Sequence, residues 1–493
     1  MRHCAALLGL LAAGCTTMEP AYVRPETSVS PSWPVGDPYL RAVEAPLPAF
    51  TYRDMFQDLR LQTLVQQALA NNRDLRVAAA NIVAARERYR IQRSNQLPQV
   101  DATGGATATS REAATATGGR ERDFTAQYNL GAGINNFELD LFGRLRSQSN
   151  AELNRYFATE AGARATRLTL VGDIADAWLA HAADQSLLLI AQQTADSAQR
   201  SVRLTRLRLE GGVAPRTDLR QAEQILFQAQ ADLAQQRTAV AQDVNLLQLL
   251  VGGPIARGYL SGSIEEAAGT VVALPAGTSS YVLLRRPDVV EAEYQLRAAN
   301  ADIGAARAAL FPRISLTGLL GLASTALTSL FTGSALSLSA GADVGYTVFD
   351  AGAGRANVRL TEAQRAAAVA SYQRTIQSAF REVADALARR GTINDEIGAR
   401  QRQKAAAADT YLLTEARYRA GIDNFLASLD AQRSLYAAQR TLVQTQLTAS
   451  QNLVELYQAI GGDPLLQNLP VCQPLPSANS ASSANVASQC SPI

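Results

Sequence analysis

Apolar residues return every three or four positions along two long stretches of the chain. They run through Leu168, Val171, Ala175, Trp178 and Ala182, and again through Val369, Tyr372, Ile376, Ala379, Val383 and Ala386. That spacing lays one stripe along a helix and is the seam of a coiled coil. Residues 144–210 hold no proline and only Gly162 and Gly172, so one helix on the order of 100 Å long is predicted there. A second is predicted over 355–420. After the Gly211-Gly212 turn, Leu219, Ala222, Leu226, Ala229 and Leu233 continue the same spacing on a shorter helix. Residues 59–96, rich in Ala, Arg and Gln and free of Pro and Gly, predict a further helix, stopped by Pro98.

Elsewhere the period drops to two. Phe124, Ala126, Tyr128, Leu130, Ala132 and Ile134 alternate with polar residues, as do Leu336, Leu338, Ala340, Ala342, Val344, Tyr346 and Val348. Ile314 and Leu316 alternate with Ser315 and Thr317. Strands are predicted at about 98–110, 124–137, 312–322 and 336–349, with one face toward apolar surroundings and the other, of Gln, Asn, Gly, Ser and Thr, toward water. Four strands cannot close a barrel, for which about eight is the smallest size, and an open edge in lipid leaves backbone groups unpaired. Copies of the chain must complete the sheet together.

The chain is written twice. Asp74, Arg93, Pro98 and Gly104 recur as Asp288, Arg307, Pro312 and Gly318 at a constant offset of 214, and Ala175, Gly212 and Gly252 recur as Ala384, Gly421 and Gly461 at 209. The five-residue difference falls between Gly104 and Ala175, a stretch read as a hairpin and helix start, where length changes are best tolerated. Each copy reads helix, two strands, long helix, shorter helix. Residues 1–14 are expected to form a signal peptide, 15–57 a lipid-anchored N-terminal segment, 58–270 the first repeat, 271–465 the second, and 466–493 a flexible tail rich in Ser, Ala and Asn.

The signal reading rests on Arg2 and His3 before an apolar run from Ala5 to Ala13. Leu11-Ala12-Ala13-Gly14-Cys15 resembles a bacterial lipobox, with Ala12 where leucine is usual, and makes Cys15 the site of a covalent lipid. Beyond it no stretch reaches the roughly 18 uninterrupted apolar residues of a spanning helix, so any crossing uses strands. Cys472 and Cys490 fall in a compartment that permits disulfides, and either pair or stay idle. A net charge of +2, without a basic block among aromatics, excludes a nucleic-acid partner.

Glu138-Leu139-Asp140-Leu141-Phe142-Gly143-Arg144, Val348-Phe349-Asp350-Ala351-Gly352, Ser378-Ala379-Phe380-Arg381-Glu382-Val383-Ala384-Asp385, Gly421-Ile422-Asp423-Asn424-Phe425 and Leu429-Asp430-Ala431-Gln432-Arg433 follow one another along the doubled unit. In that order they resemble outer-membrane efflux proteins of the TolC/OprM type, in the NodT-like lipoprotein subgroup. The resemblance implies a mainly α fold with a membrane β-barrel: a homotrimer with twelve strands in one barrel, a periplasmic α-barrel of twelve helices and an equatorial domain built from 20–48 and 254–280. It implies a lipid- and palmitate-bearing protein of the outer membrane, extending into the periplasm. Its partners would be a periplasmic adaptor and an inner-membrane, proton-driven transporter of the resistance-nodulation-division class. The activity implied is a passive exit duct for drugs or other small molecules and ions, with no cofactor. A periplasmic gate is expected at Asp423, Arg419 and Tyr418, with Arg417 near, and adaptor docking at Gly212, Val213, Gly421 and Ile422.

Two other classes of protein fit the sequence less well. An enzyme lacks a cluster: His181 sits between Ala180 and Ala182 on the long helix, better read as packing than as a base, and Gly352-Ala353-Gly354 lacks the third glycine of a dinucleotide loop. A coiled-coil adaptor or scaffold lipoprotein shares helical hairpins and an anchor but not two strand hairpins between duplicated helices. Thr217 and Asp218 are read as helix caps, Gly211, Gly212 and Gly421 as turn glycines, Trp178 and Phe380 as core or seam residues, and Asp423 alternatively as a cap of the last helix.

Overall fold

In the computed structural model, the chain is described over residues 17–26, 29–30, 32–34, 36, 39, 50–114, 120–272, 280–461 and 463–467. The signal segment, Cys15, Cys472, Cys490 and residues 468–493 lie outside these, as does the first hairpin's tip at 115–119.

Helix α1 (Tyr52–Met55) precedes the first repeat, which contains α2 (Leu59–Asn71), α3 (Arg73–Ser94), β1 (Val100–Ala114), β2 (Arg120–Leu139), α4 (Arg144–Glu210) and α5 (Arg216–Val251). A connection carrying α6 (Ile264–Ala268) leads into α7 (Pro287–Ala308), β3 (Arg313–Ser324), β4 (Leu336–Gly345), α8 (Ala353–Arg419), α9 (Phe425–Ile460) and α10 (Pro464–Gln467). The two long helices are equal, 67 residues each. None of the described helices is long and apolar enough to cross a membrane.

Three expectations are corrected. The helix predicted over 59–96 is two helices, because Asn72 leaves the helical region (ψ 137°). Its Oδ1 accepts the Leu75 amide at 3.0 Å and its Nδ2 donates to the Leu250 carbonyl at 2.8 Å, so the buried side chain starts a new helix. The first hairpin is longer than read, β1 continuing to Ala114 and β2 starting at Arg120, whereas β4 stops at Gly345, leaving Tyr346 and Val348 outside any strand. In β2 the alternation shifts by one: a bulge between Ile134 and Phe137, with Asn136 at φ 55°, moves the apolar positions from even to odd numbers.

The chain divides into two compact units, each drawing on both repeats. One comprises the described parts of Met1–Glu26, Ile82–Thr159 and Glu291–Tyr372. It carries an antiparallel sheet in the order β1-β2-β3-β4, with β2 of one repeat paired to β3 of the other from Tyr128↔Ser324 to Leu139↔Ile314. Strands β1 and β4 are its open edges. Each hairpin hands over to its long helix through a carboxylate: Asp140 accepts the amides of Leu145 and Arg146 at 3.1 and 2.8 Å, and Asp350 those of Gly352 and Gly354 at 2.8 and 2.6 Å. Residues 352–354 are thus a strand-to-helix turn.

The other unit comprises the described parts of Thr27–Asn81, Glu160–Val290 and Gln373–Ile493. Its core holds Met55, Phe56, Leu61, Leu64, Ile174, Trp178, Leu179, Leu247 and Ile264, all fully buried. Trp178 Nε1 donates to the Tyr259 carbonyl at 2.9 Å. Phe380 stacks on Trp33 with centroids 5.0 Å apart. His181 is buried beside Gln185, and burial lowers its pKa, so it is a neutral packing residue.

A half-buried carboxyl on the long helix, Asp176, gives this unit a pH dependence. Burial pushes Asp176 up to about 7, with repulsion from Asp173 and Glu455 adding to it, and its Oδ1 has no hydrogen-bond partner among the described residues. A folded-state value raised above the ordinary 3.8 means that the unfolded chain ionises first. Stability is therefore unimpaired below about pH 4 and falls as pH rises toward 7. Asp176→Asn should remove that slope, gaining roughly 1–3 kcal/mol at pH 8 and nothing at pH 4. Thermal unfolding of both proteins across that range checks it; parallel pH profiles would overturn it.

Candidate functional site

The ends of the long helices form two turns built alike. Helix α4 ends with Gly212 at φ 72°, whose amide donates to the Leu209 carbonyl at 3.0 Å while the Val213 amide donates to the Arg208 carbonyl at 2.9 Å. Helix α8 ends with Gly421 at φ 76°, the Gly421 amide donating to the Tyr418 carbonyl at 3.0 Å and the Ile422 amide to the Arg417 carbonyl at 2.9 Å. Both are left-handed caps that satisfy the last carbonyls of a helix, a conformation glycine adopts without strain. Gly211 has no positive φ, and its counterpart is Ala420, so only Gly212 and Gly421 are demanded by the backbone.

Val213 and Ile422 occupy the same position in the two turns and stand 70% and 63% exposed. An apolar residue there ordinarily packs back on its own helix. These two point outward instead, with Leu426 (56% exposed) beside the second. The expected docking residues are thus a matched pair of exposed apolar tips.

The expected gate residues separate into two kinds. Tyr418 is 5% exposed and belongs to a cluster with Val202, Ala222, Phe425 and Leu429, its ring 5.2 Å from that of Phe425. Asp423 and Arg419 are at the surface. Asp423 accepts from Arg417 Nε at 2.6 Å and Nη2 at 3.0 Å, and that pairing holds its carboxyl below the ordinary range. Arg419 pairs with Glu415 at 2.5 Å. Asp423 does not cap the last helix: Asn424 does, its Oδ1 accepting the Ala427 amide at 3.2 Å. Nor do Thr217 and Asp218 cap α5, whose N-cap is Pro215 without a side-chain bond; they lie in the first turn, where the Asp218 charge suits the helix dipole.

Arg208 is the residue that the sequence reading missed. Its Nη1 donates to the Tyr418 carbonyl at 2.7 Å and its guanidinium lies 4.6 Å from the centroid of the Tyr418 ring. Arg208 thereby links the C-terminal end of α4 to that of α8, where a cation is favoured by the helix dipole. The repeat carried the signal. Arg208 and Arg417 are counterparts, but the position matching Asp423 is Ala214, so Arg208 has no carboxylate in its own turn and reaches the neighbouring helix.

A duplicated helical unit that carries a β-hairpin in each copy, with an open-edged sheet and matched exposed turns, is the build of outer-membrane duct subunits. Residues 64–253 and 278–462 match the outer membrane efflux protein family. The chain is 40% identical to the probable efflux pump outer membrane protein TtgC of Pseudomonas putida, covering 93% of this chain and 94% of that one. It is 36% identical to the cation efflux system protein CusC of Escherichia coli K12, covering 92% and 97%. Its structure is similar to the open state of the Neisseria gonorrhoeae MtrE outer membrane channel, with TM-score 0.79, 32% identity and 91% and 98% of the two chains covered. The chain belongs to the outer membrane efflux protein family, and is an outer-membrane channel component of a tripartite efflux system.

Proposed function

We propose that three copies of this chain form one continuous passive duct, twelve strands closing a barrel in the outer membrane and twelve helices a periplasmic tunnel. The observation that carries this reading is the four-stranded sheet with β1 and β4 left as open edges. In lipid each unpaired edge group costs several kcal/mol, and β4 of one copy pairing with β1 of the next removes both edges at once. The duct does no bond chemistry and needs no cofactor. Drugs, other small molecules or ions pass to the exterior from a periplasmic adaptor and an inner-membrane transporter of the resistance-nodulation-division class. The relatives' names cover toluene, antibiotics and cations.

In this reading the turns at Gly212-Val213 and Gly421-Ile422 receive the adaptor, and their exposed apolar residues support it. Asp423, Arg419 and Tyr418 belong to the periplasmic gate in two roles. Asp423 and Arg419 supply surface charge, Asp423 already neutralised by Arg417, while Tyr418 anchors the turn to α4. Asp423→Ala should therefore lower cation preference in planar bilayers, because it leaves the Arg417 guanidinium without its carboxylate. Cys15 carries the lipid that holds the N-terminus in the outer membrane. Native mass spectrometry of protein extracted from outer membranes tests the whole: a trimer with a diacylated N-terminal cysteine is expected. A stable, inserted monomer would overturn the barrel reading, and an unmodified N-terminus the anchor.

A further inference from the structure

Residues Thr17–Arg24 form an irregular strap across the sheet-bearing unit, seated in a groove shaped for it. A Cβ built on Gly304 of α7 would lie 2.8 Å from the Glu19 Cα and 2.9 Å from its nitrogen, closer than real side chains approach. One built on Gly143, at the turn between β2 and α4, would lie 2.8 Å from the Thr17 Cα. Asn300, fully buried, donates through Nδ2 to the Pro20 carbonyl at 2.7 Å, and Asn150 donates to Glu19 Oε2 at 3.4 Å. Farther along, Arg24 pairs with Glu293 at 2.6 Å, and Arg297 lies 4.9 Å from the centroid of the Tyr22 ring while pairing with the same Glu293 at 2.6 Å. Burial pushes the Glu293 carboxyl up, but its hydrogen bonds from Arg297 and Arg24 outweigh burial, and its pKa lies below the ordinary value.

The duplication supplies an internal control. At the offset of 214, Glu293, Arg297, Asn300 and Gly304 correspond to Ala79, Val83, Arg86 and Arg90; at 209, Asn150 corresponds to Arg359. The same helix and strand unit is therefore built without any of them. Gly143 alone has a glycine counterpart, Gly352, and both have positive φ; a Cβ on Gly352 would meet nothing within 4 Å. What distinguishes the strap-bearing face, built from α7 of the second copy and the start of α4 of the first, is the set of residues that touch the strap.

We infer that Gly304, Asn300, Asn150 and the Glu293–Arg297 pair are a self-docking groove for Thr17–Arg24, which holds the chain just after Cys15 against the strand-to-helix turn at Gly143. Two residues of chain reach no farther than about 7 Å. Resting on the reading of Cys15 as acylated, the groove fixes the lipid within that reach of the point where the sheet ends, so that anchor and sheet share one depth in the membrane. A single acyl chain binds a membrane only marginally, and a loose tether would leave the sheet's depth unset.

Val23, 71% exposed, is the reporter position. In the full chain with Cys472→Ser and Cys490→Ser, a spin label on Val23→Cys should be immobilised, and remain so when Cys15→Ser removes the lipid. Gly304→Val, which drives the Glu19 backbone out, should abolish the immobilised component, and Tyr22→Ala with Arg24→Ala should do the same without touching the helices. A label as immobile in both variants as in the parent overturns the groove. Acylated Gly304→Val protein should also yield less inserted trimer; an unchanged yield overturns the depth-setting role. An N-terminus without lipid overturns the anchor reading alone, leaving the groove to the label result.

Discussion

Replacing Arg208 by alanine is expected to loosen the turn at the end of α8 more than any other single change at the tips. The side chain makes a charge-assisted hydrogen bond to the Tyr418 carbonyl and stacks on the same residue's ring. In a half-buried setting a bond of that kind contributes about 1.5–3 kcal/mol. Loss of it should raise amide exchange of Gly421 and Ile422 by roughly tenfold to a hundredfold, since each 1.4 kcal/mol is about a factor of ten. Their acceptors, the Tyr418 and Arg417 carbonyls, belong to the turn that Arg208 ties down. Single-channel conductance in planar bilayers should rise with it, because Arg208 ties the α8–α9 turn to α4. Arg208→Lys keeps a donor but not the planar stack, and should fall between. Arg417→Ala removes only an exposed pair and should change exchange little. Equal exchange in Arg208→Ala and the parent would show that packing of Tyr418 alone holds the turn.

Trp178→Ala should have the largest effect on stability. The side chain is fully buried in the second unit, and its ring nitrogen satisfies the Tyr259 carbonyl. Truncating a buried tryptophan costs about 3–5 kcal/mol through lost burial and the cavity left behind. For a body of this size that is a fall on the order of 10 °C in the thermal midpoint. Trp178→Phe keeps most of the volume and loses chiefly the hydrogen bond, near 1 kcal/mol. Midpoints measured on purified protein separate the two. A drop shared equally by both variants would assign the residue's weight to the Tyr259 bond instead of to packing.

Helices α4 and α8 were legible in the sequence because a three-four apolar stripe over 67 residues without proline is a local property, repeated at every turn. The duplication was legible for the same reason, and it predicted the matched turns at Gly212 and Gly421. Strand existence was legible from alternation, and even the bulge left a mark, in the step from Ile134 to Phe137 that breaks the even-numbered rhythm. The break at Asn72 was missed because composition alone favours helix throughout 59–96, and the competing bond to the Leu250 carbonyl comes from a residue 178 positions away.

The sequence by itself thus determined the periodic elements and the doubled unit, since each follows from spacing along the chain. Only the tertiary structure decided which side chains meet. It assigned Asp423 to Arg417 and the helix cap to Asn424, put Tyr418 in a packed cluster and not at the surface, drew Arg208 across to the neighbouring helix, and laid Thr17–Arg24 over Gly304. The reason is physical. Periodicity is set by backbone geometry that every residue shares, whereas the partner of a guanidinium or the occupant of a glycine's space depends on atoms brought close by folding from distant parts of the chain.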